Sequence, residues 1–357
     1  MVRMPASSQR SNLMTQSQQS HRKDEHVFLA EKYFQSVAHA GFDQVRLLHR
    51  ALPETTMAAV DLKPDLPFNW QWPIYINAMT GGSPQTGKLN AQLGQLAQAL
   101  GVAIASGSQS VALRDPQLVP TFATLRDHDP NGFILANVGA GHHATAAEAA
   151  VAMLKANALE IHLNAAQEVV MPEGDRDFMW QANIKSIIAT SQVPIVVKEV
   201  GNGFIREDLQ SLQQLGVQFV DVGGRGGTNF ATIENARRSG HDFAYLQDWG
   251  QTTVESLLEA RGLGLTMLAT GGVRSPLDVV KALRLGAHAV GMSGMVLHHL
   301  IQTGYEATLA YFQNFLHQLR QLYALLGVTN WQELQEAPIV LSADLEHYRQ
   351  ARGLPGI

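Results

Sequence analysis

The stretch Glu160–Glu168 carries the densest potential chemistry in this chain. His162 and Asn164 alternate along the end of an apolar run, so on a strand their side chains point to the same side. Gln167 and Glu168 fall on the loop immediately after. Gln167 is a poor acid or base, so its plainer role is to orient a substrate. Glu168 has no second His or carboxylate at zinc spacing, which argues against a tight transition-metal site. A single carboxylate beside an anionic phosphate suits magnesium, which prefers oxygen and keeps several waters.

Lys198 closes another apolar run, Val193–Val197. A lysine at the end of a strand buried on both faces must meet a negative partner or shift its pKa. Three roles fit: a Schiff-base amine of the aldolase kind, a cation facing an electron-rich cofactor, or a lysine snorkelling to the rim. The chain's organising stretch is Ala269–Gly294, ATGGVRSPLDVVKALRLGAHAVGMSG. Leu265–Thr270 is short enough for a buried strand, and Gly271-Gly272 follows it. Ser275 and Pro276 suit the cap and first turn of a helix with an apolar side at Leu277, Val280 and Leu283. After Gly286, Ala289–Gly291 reads as a second strand leading into Ser293-Gly294. A lone glycine pair could be only a tight turn. Two backbone-donor turns at the ends of adjacent parallel strands are a phosphate cradle.

The elements that must position these groups form a regular alternation. Short apolar runs at Ile74–Ala78, Val102–Ala105, Phe133–Ala136, Leu159–Leu163, Ile195–Val197 and Val217–Val222 precede the two already named. Helical patterns separate them, so the strands are parallel. Eight such units favour a closed (β/α)8 barrel, an α/β TIM barrel, over a doubly wound sheet, with Leu297–Leu326 as C-terminal closing helices. Thr80, Ser108, Asn137, His162, Asn164, Lys198, Thr228, Gly271 and Ser293 then converge at the strand C-termini, the face that carries barrel active sites. The organisation expected is a disordered Ser/Gln/Asn-rich tail over 1–20, an N-terminal helix from Arg22 to about Gln35 with an irregular lead-in over 21–73, and the catalytic barrel over 74–357.

Composition narrows the partners. Charged residues are 16% of the 357, below the quarter of an ordinary globular chain, and the net charge is −5. With no long basic run, nucleic acid is not an expected partner. The chain has no cysteine, which excludes disulfides, thiol nucleophiles and iron–sulfur clusters and suits a reducing cytoplasm. No apolar run is long enough to span a membrane and no signal-peptide core opens the chain, so a soluble cytoplasmic protein is expected.

The motifs RKDEH at 22–26, NAMTGGS at 77–83, ASGSQ at 105–109, NVG at 137–139 and HLNAAQE at 162–168 continue with VKEVGNG at 197–203, DVGGRGGTNF at 221–230, ATGGVRSPLDV at 269–279 and GMSG at 291–294. In this order, across 21–330, the chain resembles the type 2, flavin-dependent isopentenyl-diphosphate isomerases. The resemblance implies an FMN-binding (β/α)8 barrel that interconverts isopentenyl and dimethylallyl diphosphate in isoprenoid biosynthesis, with magnesium, with NADPH as reductant of the flavin, and as a homo-oligomer, a tetramer or octamer. It assigns flavin contacts to Thr80, Gly81, Gly82, Ser108, Asn137, Lys198, Thr228, Gly271, Gly272, Arg274, Ser293 and Gly294. It assigns the substrate diphosphate to Arg22, Lys23, Ser108, Gln109, His162 and Asn164, the hydrocarbon end to Gln167, and magnesium to Glu168. Gln167 and Glu234 are the side-chain candidates for the proton step, although Glu234 could equally be a surface residue. Lys198 becomes cofactor-facing, and the aldolase role drops. Arg22 and Lys23 would close over the substrate as a lid, from this chain or a neighbouring subunit.

Two departures from the family's pattern stand out. Ser110 occupies a position where many relatives carry Arg, and Gln251-Thr252 replaces a more usual Ile-Pro. Two rival classes remain. One is an FMN oxidoreductase of the 2-hydroxyacid-oxidising kind, which needs a histidine base late in the barrel where only His288 is available. The other is a non-catalytic flavin- or phosphate-binding protein, which has little use for Gln167, Glu168 and the Arg22-Lys23 pair together.

Overall fold

Every apolar run read as a barrel strand is one. The computed structural model describes the backbone from residue 8 and side chains from residue 20. Its strands are β1 (Val45–Leu47), β2 (Ile74–Ile76), β3 (Ala103–Ala105), β4 (Ile134–Gly139), β5 (Ala158–Leu163), β6 (Ile195–Glu199), β7 (Phe219–Asp221), β8 (Thr266–Ala269), β9 (Ala287–Met292) and β10 (Ile339–Leu341). β2 to β9 pair in chain order, each parallel to the next, and β9 returns to β2. The fold is therefore the closed (β/α)8 barrel and not the doubly wound sheet. These strands are short and largely buried, which is why each appears in the sequence as a short, mainly apolar run.

Local chemistry sets the helix starts. Ser83 and Ser275 each cap a helix, Pro84–Leu100 and Pro276–Arg284, through a reciprocal capping box with proline at the first position. Gly294–Thr303 and Tyr305–Leu326 follow β9 and close the barrel.

Inside the barrel the lower layer is apolar and is floored from outside. Phe68 and Trp70, from the segment that reads as irregular, plug the N-terminal end: Phe68 stacks 4.9 Å from Phe219 and 5.0 Å from Phe133, and Trp70 lies 5.4 Å from Tyr75. Trp70 is buried and Phe68 partly so, and full burial of a side chain of this size contributes about 1.5–3 kcal/mol. Above the plug the interior turns polar, with Glu160, Lys198 and Asp221 all buried. The functional face begins there.

Two features depart from the expectation. The N-terminal helix spans Ser8–Lys32, so residues 8–20, expected as tail, continue it; residues 1–7 lie outside the described residues. No Gly or Pro interrupts 8–32, and its Gln, Leu and Met are competent helix formers, which permits the extension. Secondly, β1 pairs antiparallel with β10, Arg46 opposite Val340, tying the lead-in to the C-terminal segment.

Candidate active site

A cavity of about 540 Å³ opens at the C-terminal mouth of the barrel. Its wall draws on every barrel strand end and on the N-terminal helix. Of the residues singled out from the sequence, Arg22, Lys23, Ser108, Asn137, His162, Asn164, Gln167, Glu168, Lys198, Thr228, Gly271, Gly272, Arg274, Ser293 and Gly294 line it. They come from one chain, so no neighbouring subunit is required to bring Arg22 and Lys23 to the site.

On β5 and the loop after it, each polar group has a definite partner. His162 Nδ1 lies 2.8 Å from Asn137 Oδ1, and Asn137 Nδ2 donates to Glu160 Oε2 at 2.7 Å. Burial, then the positive charges of Lys198, Lys23 and His142, push His162 down to about 3, so the imidazole is neutral. Burial pushes Glu160 up to about 7, against the pull of Lys198. Asn164 Nδ2 donates to Glu168 Oε1 at 2.8 Å, and Glu168 Oε2 accepts from the Asp175 backbone at 2.7 Å. Glu168 thus lines the cavity as a carboxylate held in place, with Glu173, Asp175 and Glu199 also on the wall. Among the described residues no cluster of three His, Asp or Glu could hold a metal. That donor set fits a magnesium ion shared with a bound diphosphate and does not fit a protein-only cage.

Lys198 Nζ donates to the Glu199 carbonyl at 2.9 Å and stands 3.9 Å from Asp221 Oδ2. Asp221 is also gripped by Tyr75, Asn77 and Thr270. The lysine is therefore a cation anchored inside the mouth. Next to Thr270, Gly271 adopts φ +109°, and a Cβ there would stand 2.1 Å from the Gly224 carbonyl. Only glycine lets these turns approach so closely. The N–H groups of Gly272, Ser293 and Gly294 donate to no backbone carbonyl among the described residues. Ser293 and Gly294 also open the helix Gly294–Thr303, whose first amides are free for an anion. This cradle fits the phosphate of FMN.

The N-terminal helix supplies the cations of the opposite wall. Lys23 Nζ donates to the Ser108 carbonyl at 3.3 Å, and burial beside Arg22 lowers it to about 8. Arg22 Nη1 pairs with Glu173 at 3.2 Å. His26, one turn further on the same face, also lines the cavity, and its Nε2 stands 2.9 Å from Glu234 Oε1. The spacing of four from Arg22 was the available signal for it.

Five of the expected site residues do not line the cavity. Thr80 turns its hydroxyl to Asn90, Gly81 packs under the Phe122 ring, and Gly82 is backed by Val111, so this turn's lining residues are Asn77, Ala78 and Met79 instead. Gln109 faces away: its Nε2 donates to the Ala150 carbonyl at 2.9 Å and its Oε1 accepts from Asn137 N. Asn137 does line the cavity, with one amide hydrogen given to Glu160 and its Oδ1 facing His162. Glu234 is neither surface nor cavity wall. It lies fully buried on the helix Phe230–Arg237, accepting from Gln167 Nε2 at 3.0 Å and Arg237 Nη1 at 2.5 Å. Burial alone would raise its pKa, but His26, Gln167 and Arg237 outweigh it and hold the carboxyl at about 2.

Both departures resolve locally. Ser110 bonds Ser108 and His142, and Arg114, one turn later, brings a guanidinium to the same wall. Thr252 caps the helix Thr253–Ala260 in a reciprocal box with Glu255, so the loop starts its helix without the usual Ile-Pro.

The family of FMN-dependent dehydrogenases matches residues 121–341. Over 344 residues the chain is 99% identical to an isopentenyl-diphosphate delta-isomerase of Lacticaseibacillus casei (strain BL23), covering 96% of this chain and 100% of the relative. A protein of the same name from Latilactobacillus sakei is 55% identical over 95% of this chain and 98% of its own. The chain belongs to the type 2, FMN-dependent isopentenyl-diphosphate isomerases. A third member, from Streptomyces sp. (strain CL190), is 46% identical over 93% of each chain. Among solved structures, a mutant flavocytochrome b2 with pyruvate bound superposes with a TM-score of 0.66 at 19% identity, over 90% of this chain and 84% of that one. A mandelate oxidase variant with benzoyl-formic acid gives 0.60 at 15%, over 89% and 91%. At these identities the likeness establishes a shared barrel only. No described helix is long and apolar enough to cross a membrane.

Proposed function

We propose that this isomerase moves the double bond of isopentenyl diphosphate to give dimethylallyl diphosphate, using reduced FMN and magnesium at the mouth of its barrel. The observation that carries the reading is a single cavity with two anion-binding walls. One is the backbone cradle after β8 and β9, suited to the flavin's phosphate. The other gathers Arg22, Lys23, Arg114 and His162, suited to a diphosphate. Gln167 and Glu168 lie on the short helix Ala165–Val170 that follows β5, where the sequence suggested a loop, and Glu168 would share magnesium with that diphosphate.

An allylic shift of this kind adds one proton and removes another, with no net oxidation. FMN, when bound and reduced, supplies an electron-rich face and an exchangeable proton beside the hydrocarbon. The chain's own contributions follow from its geometry. Arg22, Lys23 and Arg114 hold the diphosphate through charge-assisted hydrogen bonds. Lys198 presents a fixed cation inside the mouth, where negative charge on a cofactor would be stabilised. Glu234, ionised and dry, accepts from Gln167 Nε2 and so leaves Gln167 Oε1 directed to the cavity side, toward Asn164. Glu234 therefore acts as a positioning residue and Gln167 as the group that touches substrate. The protein works as a homo-oligomer in the cytoplasm, with NADPH needed to reduce the flavin.

The 2-hydroxyacid-oxidising alternative needs a histidine base late in the barrel, where His288 is the candidate. His288 lies away from the cavity, accepting from the Met267 backbone at 3.3 Å and stacking 4.7 Å from Trp331. The proposal is tested by replacing FMN with its 5-deaza analogue. Loss of isomerase activity with intact substrate binding supports a chemical role for the flavin. Full activity would leave the flavin as scaffold and move the proton transfer onto side chains.

A further inference from the structure

Behind the diphosphate wall, Glu160, Asn137 and His162 form a chain of three groups whose ends differ. Glu160 is completely buried; its Oε2 accepts from Asn137 Nδ2 at 2.7 Å, while its Oε1 has no partner among the described residues. The other end of the same amide, Asn137 Oδ1, lies 2.8 Å from His162 Nδ1. An amide oxygen only accepts, so with Glu160 ionised the imidazole must carry its proton on Nδ1. His162 is neutral, for the reasons given above, so Nε2 is then a bare lone pair at the cavity. A lone pair is the wrong group to offer an oxyanion.

We infer that Glu160 and Asn137 are positioning residues that set the tautomer of His162, and that diphosphate binding reverses the chain with uptake of one proton at Glu160. In the reversed setting, protonated Glu160 donates to Asn137 Oδ1. The Asn137 amide turns over about its terminal torsion, and its Nδ2 donates to His162 Nδ1. The imidazole gives up its Nδ1 proton, gains one at Nε2 and donates it to the diphosphate. Histidine stays neutral throughout, and the one proton gained from solvent resides on Glu160.

The surroundings permit this. The Asn137 backbone is pinned on both sides by Gln109, through Asn137 N to Gln109 Oε1 and Gln109 N to the Asn137 carbonyl, both 2.9 Å, so only the side-chain amide need turn. Lys198 and Asp221 are the charged groups facing Glu160, and they pull its proton affinity in opposite directions. Lys198, Lys23 and His142 face His162 and oppose the competing route, in which the imidazole itself becomes a cation.

The inference rests on the reading that the diphosphate sits against His162, and the experiment separates the two. Inorganic diphosphate is titrated into FMN-loaded enzyme by calorimetry at about pH 8, in two buffers of different ionisation enthalpy, for wild type, Glu160→Gln and His162→Ala. A group titrating at about 7 is roughly nine-tenths ionised there. Wild type should therefore take up about one proton more per site than Glu160→Gln, whose amide already supplies the N–H. Equal uptake in the two, with affinity weakened by His162→Ala, overturns the relay alone, because the imidazolium route is indifferent to Glu160. Affinity unchanged by His162→Ala overturns the reading of the wall, and the relay with it. Nitrogen-15 spectra of the wild-type histidines give an answer that does not depend on a variant folding. His162 should shift from the Nδ1–H form to the Nε2–H form on adding diphosphate, and one tautomer in both states overturns the inference.

Discussion

Replacing Lys23 by alanine probes the diphosphate wall directly. The ammonium group reaches the Ser108 carbonyl at 3.3 Å, and burial next to Arg22 lowers its pKa to about 8. A charge-assisted hydrogen bond to a shielded phosphate contributes about 1.5–3 kcal/mol. Lys23→Ala should therefore lower kcat/KM for isopentenyl diphosphate about 10- to 100-fold, mostly through KM, since the contact is made in ground and transition states alike. The pH dependence has a definite sign. A depressed lysine is charged below about 8 and neutral above it, and the diphosphate binds only the charged form well, so wild-type affinity falls as pH rises through about 8. Lys23→Ala should lose that alkaline limb while keeping its full complement of FMN, whose phosphate cradle is on the far wall. The assay is kcat/KM against pH together with flavin content per chain. Flavin loss with an unchanged KM would mean that the two anion sites are reversed, and survival of the alkaline limb would assign it to another group.

Three further outcomes follow. Glu168→Gln should raise the magnesium concentration needed for half-maximal rate by about tenfold or more with the fold intact, because one oxyanion ligand of the shared ion is lost; an unchanged magnesium titration contradicts the assignment. Glu234→Gln removes one of the three carboxylates paired with Arg237 and weakens the hold on Gln167, so kcat should fall by about tenfold or more while KM stays within about twofold, and a wild-type kcat would remove Glu234 from the mechanism. Gly81→Ala places a Cβ 2.2 Å from the Phe122 ring at φ +125°, and should cost about 2–5 kcal/mol in denaturant unfolding; a loss under about 1 kcal/mol would show that the turn yields.

The barrel was legible because parallel strands buried on both faces leave short, mainly apolar runs, and eight of them stand in the sequence between helical patterns. The pair β1 and β10 was not, since three residues each at opposite ends of the chain carry no pattern that marks them as partners. The cavity wall was read well where glycine turns or a run of polar residues follow a strand, as at His162–Glu168 and Gly271-Gly272. It was misread where a polar side chain turns back to the protein. Gln109 and Thr80 stand at strand ends like their neighbours, yet one bonds the Ala150 carbonyl and the other Asn90. Glu234 shows the converse error: a carboxylate beside a loop looks solvated in sequence, and only the convergence of His26, Gln167 and Arg237 reveals why it is buried and ionised.

The central claim is isomerisation without net oxidation, and counting reductant against product tests it most directly. FMN-loaded enzyme is reduced once with a stoichiometric amount of NADPH under anaerobic conditions, given magnesium and excess isopentenyl diphosphate, and followed by proton NMR. The account predicts that dimethylallyl diphosphate accumulates to many equivalents per flavin with no further reductant consumed. One NADPH oxidised for each product formed, or no dimethylallyl diphosphate at all, would contradict it.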